Sequence, residues 1–367
     1  MKFQQFSFTF LIILSFVFFS CDDNEKMQTS NSFKIIGKVK DIPDSAVVIL
    51  KNNNIVLDST LIIKGEFELK GSLKEPGSAI LKVPITGDYK VFWIENSEIV
   101  FNAEAGKFFD AKIIGSQLQN ESDSLLAKAD MFFKAQDSLL NMLTTNPADV
   151  NRDSILNEVD DLRKKELREE YLVVKNNPSS LISAHLLDVF KTTWDIKKVL
   201  PLYSSFTDKV KNSNYGKSIK RYIELYADLK IGDKFANFES TDTDGKIVKL
   251  SDIKAKAVLL DFWASSCFPC RKENKHLVKA YDDYKKYGFE IFGVSGDSKK
   301  EDWLDAIKKD KLIWTNVFDG KGMDSKPFLI YGINGIPDNF LINSEGIIVA
   351  RNLRGDDLRK KLDELLK

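Results

Sequence analysis

Cysteine is nearly absent: Cys21, Cys267 and Cys270 are the three in 367 residues. That excludes a disulfide-stapled scaffold and a four-cysteine zinc site. Histidine is scarcer still, and His185 and His276 alone argue against a histidine-rich catalytic metal centre. An excess of charge is also missing. Lys+Arg and Asp+Glu both number 54, which argues against a general nucleic-acid binder, because such binding needs cations to neutralise phosphates. What is present, 43% apolar and 29% charged residues, is ordinary for a chain folding around cores. The length holds two to three domains at about 100–200 residues each.

Between Lys2 and Asp22 no charge occurs, and the run Phe10–Phe19 is almost wholly apolar. An apolar heart of about ten residues is short for a membrane span and suits a signal-peptide core; an uncleaved N-terminal anchor is the alternative. Ser20-Cys21 resembles a bacterial lipoprotein cleavage site, with Phe18 and Phe19 in place of the usual Leu and small residue. On that likeness residues 1–20 are the signal peptide, Cys21 is lipidated and tied to a membrane, and 21–32 form a polar tether. Asp22-Asp23-Asn24-Glu25 resembles the surface-export signal of Bacteroidota lipoproteins. The expected location is the bacterial cell envelope, in the periplasm or at the cell surface.

Over 33–115, short β-rich runs alternate with turn signals such as Lys64-Gly65 and Pro76-Gly77, which predicts an antiparallel β-sandwich or small barrel. It holds no Cys or His, so it reads as an accessory or interaction module. Over 116–230 the period becomes helical, with Leu125, Leu126, Phe132, Phe133, Leu139 and Leu140 at three- and four-residue steps. Asn146-Pro147 closes that helix and Asn176–Ser180 breaks the chain again. The mixed-sign run Asp160–Glu170 is expected to be a solvated helix face, and His185, among leucines, a core histidine. From 231 to 367 strand-like and helix-like runs alternate, which predicts an α/β domain. Its strands are expected at 257–263, 289–294, 313–318, 338–342 and 347–351, and its helices at about 268–286, 300–309 and 356–366.

The chemistry lies in Asp261-Phe-Trp-Ala-Ser-Ser-Cys-Phe-Pro-Cys-Arg-Lys-Glu273. A buried strand ends at Trp263, and after a short turn Cys267 falls at a helix start. There, unpaired backbone N–H groups and the helix dipole favour a thiolate, the species that thiol–disulfide exchange requires. Cys270 follows one helical turn later, within reach of a disulfide, and Pro269 costs little in a first turn. Cys267 is therefore expected to attack and Cys270 to resolve. With no second cysteine pair, half a zinc site has nothing to complete it. Asp261, inside an apolar strand, should have a raised pKa and carry the Cys270 proton, or else be a partnered structural acid. Ile336-Pro337 precedes the strand 338–342, as a strand-start proline or as a cis bond facing the dithiol.

Together with Gly335-Ile-Pro-Asp-Asn-Phe-Leu-Ile-Asn343 and Asp244-Gly-Lys-Ile-Val-Lys-Leu-Ser-Asp252, this segment resembles the thioredoxin superfamily, specifically its membrane-tethered TlpA/ResA-like thiol:disulfide oxidoreductases. The resemblance covers about 231–367. It implies a thioredoxin-like fold, a redox-active Cys267/Cys270 pair with no other cofactor and no metal, a cis Pro337 beside it, and Asp261 at the family's buried acid position. It also implies protein thiols and disulfides as partners and a membrane electron donor; reduction is expected ahead of oxidation, and the sequence leaves the direction open. Ile336, Pro337, Trp263 and Phe268 are the expected substrate surface. Upstream, the chain is similar to Bacteroidota envelope lipoproteins with a β-rich domain of unknown function. Ser266 stands where tryptophan is usual, Phe268 where glycine is, and Lys275 where proline often follows. Two other readings stay open: an adaptor whose 33–230 region captures an envelope partner, and a peroxiredoxin, although Asp261 and Ala264 occupy its usual Pro and Thr/Ser positions.

Overall fold

A computed structural model describes residues 31–52, 55–145 and 151–367. The leader, Cys21, most of the tether and the Asn146-Pro147 helix stop lie outside the described residues. Two compact units are distinguished, the first ending at Gln119 and the second running from Asn120 to Lys367.

The first unit is built of β1 (Phe33–Lys40), β2 (Val47–Asn52), β3 (Ile55–Leu61), β4 (Glu66–Gly71), β5 (Gly77–Val83), β6 (Asp88–Ile94), β7 (Glu98–Glu104) and β8 (Lys112–Ile114). They make two four-stranded sheets, ordered β4-β1-β7-β8 and β3-β2-β5-β6. Period-two alternation decides which side chains point inward. Ile35, Leu69 and Phe101 from one sheet meet Val48, Leu81 and Phe92 from the other in a single core. Two cross-strand glycine–phenylalanine pairs pin the β1–β4 register, Gly37 with Phe67 and Gly71 with Phe33. A Cβ on Gly37 would lie 2.0 Å from the Phe67 ring, so only glycine fits there. All neighbours pair antiparallel except β1 and β7, which run parallel from Lys34/Glu98 to Lys40/Glu104. Side-chain alternation is the same in both directions, so the sequence pattern is blind to this exception.

The helices are α1 (Gln117–Thr145), α2 (Arg152–Asn176), α3 (Leu181–Phe190), α4 (Ile196–Ser205), α5 (Asp208–Lys211) and α6 (Asn214–Leu225). Ser180 caps α3, its Oγ accepting from Ile182 N at 3.1 Å. The expected solvated face on α2 needs correction at Glu166 and Glu170. Glu166 is buried, accepting from Gln136 Nε2 of α1 at 2.7 Å and pairing with Arg163 at 2.7 Å. Burial, then the neighbouring Glu166, raises Glu170 to about 7. The α1–α2 contact covers part of a charge run whose mixed composition mimics a solvent face. His185 stands edge-on to Tyr215, 5.0 Å between ring centres, and burial lowers its pKa.

The α/β part adds β9 (Glu239–Asp242), β10 (Ile247–Lys249), β11 (Ala257–Trp263), α7 (Phe268–Tyr284), β12 (Phe289–Ser295), α8 (Lys300–Asp310), β13 (Thr315–Phe318), α9 (Lys326–Tyr331), β14 (Asp338–Asn343), β15 (Ile348–Arg351) and α10 (Gly355–Leu366). The sheet order is β10-β9-β13-β12-β11-β14-β15. Strand β11 is interior, parallel to β12 and antiparallel to β14. One sheet face packs Leu259, Ile291 and Leu341 against Leu277 of α7, Trp303 of α8 and Leu358 of α10. The other packs Leu260, Phe262 and Phe340 against Phe328 and Tyr331 of α9. The helical segment docks on this second side. Lys191 Nζ bridges Asp188 and Asp324 at 2.8 and 3.0 Å, and Ala227 N donates to Ile330 O at 3.0 Å. Among the described residues no helix is long and apolar enough to cross a membrane.

Candidate active site

Strand β11, Ala-Val-Leu-Leu-Asp-Phe-Trp, is buried at every position, because the sheet is covered on both faces. It delivers the chain to a turn held by a buried carboxylate. Both oxygens of Asp297, just past β12, accept from Ser265 N at 3.1 and 2.9 Å. Ser265 Oγ donates to the same carboxylate at 2.6 Å and Ser295 Oγ at 2.7 Å. Four charge-assisted contacts leave this turn little freedom.

The turn ends at Cys267, the N-cap of α7, whose Sγ accepts from Cys270 N at 3.2 Å. Helix termini leave such N–H groups unpaired, so the sulfur sits where negative charge is favoured. Pro269 lies in the first turn. Cys267 and Cys270 are joined as a disulfide, 5.2 Å between Cα atoms. The two sulfurs have different surroundings: Cys270 is 1% exposed and packs in the core cluster with Trp263, whereas Cys267 is half-buried. Arg271 anchors the helix start to α8 through a forked pair with Asp310, and Asn274 Nδ2 adds a bond to that carboxylate at 2.8 Å.

The Ile336–Pro337 peptide bond is cis. The Pro337 carbonyl accepts from Arg354 Nη2 at 2.6 Å. Asp261 is buried in β11, opposite Gly293 of β12 and Asn339 of β14. Desolvation raises its carboxyl to about 7; Arg354 opposes the rise, Glu273 and Asp338 add to it, and a hydrogen bond with Asn339 opposes it. Glu273, from α7, accepts from Gly355 N at 2.9 Å.

Of the expected substrate surface, Phe268 is 81% exposed beside the half-buried Cys267, and Ile336 is partly buried. Trp263 is a correction. It is 1% exposed, because its side of the interior strand faces α7 rather than solvent, and it floors the dithiol instead of meeting a partner. His276 is exposed on α7, and no group of metal-ligating side chains gathers among the described residues. Cys21 lies outside them. Asp297, Glu273 and Arg354 went unremarked as site residues, since each is a single charged residue whose partners are distant in sequence.

Residues 231–351 match the AhpC/TSA family, and residues 33–122 match a domain of unknown function, DUF4369. A thiol-disulfide oxidoreductase ResA of Bacillus cereus is 32% identical over 146 residues, 40% of this chain and 82% of the relative. The chain belongs to the ResA-like thiol-disulfide oxidoreductases. The ResA of Bacillus subtilis is 35% identical over 118 residues, 32% of this chain and 64% of that one. Among solved structures, the thioredoxin domain of a thiol-disulfide oxidoreductase from Bacteroides vulgatus is 41% identical, covering 38% of this chain and 99% of that one, with a TM-score of 0.36. The AhpC/TSA match falls in the α/β domain, which carries thiol-disulfide oxidoreductase function.

Proposed function

We propose that the chain is a membrane-anchored envelope oxidoreductase that reduces disulfides in other proteins through Cys267 and Cys270, with Cys21 as the lipid attachment point. In the reduced protein the Cys267 thiolate attacks a substrate disulfide. That bond breaks, a Cys267–substrate disulfide forms, and the departing thiolate takes up a proton. Cys270 then gives its proton to Asp261 and attacks the Cys267 sulfur. The mixed disulfide breaks, the Cys267–Cys270 disulfide closes, and the second substrate thiolate leaves and is protonated. Two electrons have passed to the substrate, and a membrane electron donor restores the dithiol.

The observation that carries this reading is the asymmetry of the pair: an accessible Cys267 at a helix N-terminus and a Cys270 buried in the core. Phe268, Ile336 and Pro337 are the proposed substrate surface, and the exposed phenyl ring favours a partner with apolar side chains near its disulfide. Cys267→Ser should abolish exchange with a protein disulfide, and Cys270→Ser should trap a covalent complex with it. Full exchange activity in Cys267→Ser would refute the reading. A second reading makes 33–230 the partner-capturing region, favoured within it by Tyr89 and Val91, 61% and 53% exposed on the edge strand β6. Tyr89→Ser/Val91→Ser in the full chain should then weaken reduction of an envelope partner while sparing a small disulfide; equal rates with both substrates refute it.

A further inference from the structure

Arg354 stands in the turn Asn352–Gly355 between β15 and α10. The turn is left-handed at both ends, with φ of +59° at Asn352 and +44° at Gly355. It is bound to two neighbouring elements. Asn339 of β14 takes Asn352 N on its backbone oxygen at 2.8 Å, and its amide side chain both accepts from Leu353 N and donates to Leu353 O at 2.9 Å. Gly355 N donates to Glu273 of α7 at 2.9 Å. From this fixed base the half-buried guanidinium donates to Leu353 O at 2.7 Å and to Pro337 O at 2.6 Å.

The charge on that guanidinium meets an anionic surrounding. The groups acting on Asp261 are Glu273 from α7, Asp338 and the Asn339 amide from β14, and Arg354 from the β15–α10 turn. The nearby Arg351 is already paired with Asp338 at 2.6 Å. Arg354 is therefore the cation available to offset burial and two carboxylates. A protonated Asp261 has no site for the Cys270 proton, so the cation bears on the resolving step itself.

We propose that Arg354 is a positioning residue for disulfide exchange, fixing the Pro337 carbonyl and, from a turn bonded to the Asn339 that lies opposite Asp261, supporting Asp261 as acceptor of the Cys270 proton. This rests on the role given to Asp261 above. The planar guanidinium holds two carbonyls at once, Leu353 O and Pro337 O.

The test uses the reduced full chain and an aromatic disulfide reagent. Attack by Cys267 releases one coloured thiolate; attack by Cys270 on the mixed disulfide releases the second. The rate of the second release is followed from about pH 5 to 9 for wild type, Arg354→Met, Arg354→Lys and Asp261→Asn. In wild type the acid limb should lie near 7, where Asp261 titrates. Arg354→Met should move that limb up by about one unit, slowing the second release about tenfold at pH 6. Arg354→Lys should keep the limb in place. Arg354→Gln, which retains a donor for Pro337 without the charge, should shift like Arg354→Met and serves if that variant fails to fold. Two results overturn the proposal: an unmoved limb in both neutral variants, which makes Arg354 a structural brace, or a limb moved as far by Lys as by Met. An unmoved limb in Asp261→Asn instead overturns the role of Asp261, and the proposal with it.

Discussion

Asp261→Asn separates what the buried acid costs the fold from what it does for exchange. Desolvation raises the carboxyl from an ordinary 3.8 to about 7 in the disulfide form. Between those values the folded chain holds a proton that the unfolded chain has released. The contribution of this carboxyl to stability is therefore greatest at and below pH 3.8 and falls as the pH rises towards 7. A shift of roughly three units corresponds to about 4 kcal/mol at the top of the window. Asparagine has no charge to bury, so the variant should lose this slope. It should match the wild type near pH 4 and exceed it by up to about 4 kcal/mol at pH 8. Urea unfolding of the two oxidised proteins at about pH 4, 6 and 8 measures the difference directly. Parallel stability profiles, or a variant weaker than wild type at pH 8, would refute the reasoning that burial holds this carboxyl high. The same variant should slow the resolving step, so that a gain in stability accompanies a loss of exchange.

Asp297→Ala removes the acceptor shared by Ser265 N, Ser265 Oγ and Ser295 Oγ. It should cost about 3 kcal/mol and slow attack by Cys267, read by thermal unfolding and by the first thiolate release; an unchanged melting point counts against the clamp. Gly37→Ala drives a methyl into the Phe67 ring and should destabilise the β-sandwich by about 1–3 kcal/mol, measured by urea unfolding. Wild-type stability in that variant would mean that Phe67 can move aside at no cost.

The parts of the fold that could be read from sequence are those written in periodicity. The β11 run, the amphipathic α7 and the strand spacing over 33–115 each repeat an inward-facing position, and the structure has these elements within a few residues of expectation. Helix α9 was invisible because six residues, Lys326–Tyr331, are too few to show a helical period. The parallel β1–β7 pair was invisible because alternation carries no direction. Glu166 and Glu170 misled because composition reports charge, not whether another helix lies over it. At the site, the adjacency of Cys267, Pro269 and Cys270 within one turn is a local pattern, and the sequence carries it fully. Asp297, Glu273 and Arg354 act across long separations: Ser265 to Asp297, Glu273 to Gly355 and Arg354 to Pro337 are contacts that the sheet order creates. Trp263 was expected on the substrate surface next to the cysteines, but a strand covered on both faces keeps its last residue inside.

The most direct test of dithiol chemistry at this site is the midpoint potential of the Cys267/Cys270 couple, obtained by equilibrating the full chain in defined thiol buffers and counting alkylated cysteines at these two positions. A reversible two-electron couple near or below about −270 mV is expected for a reductant of protein disulfides. A value near about −120 mV would contradict the direction proposed, and no reversible couple at all would contradict exchange through this pair.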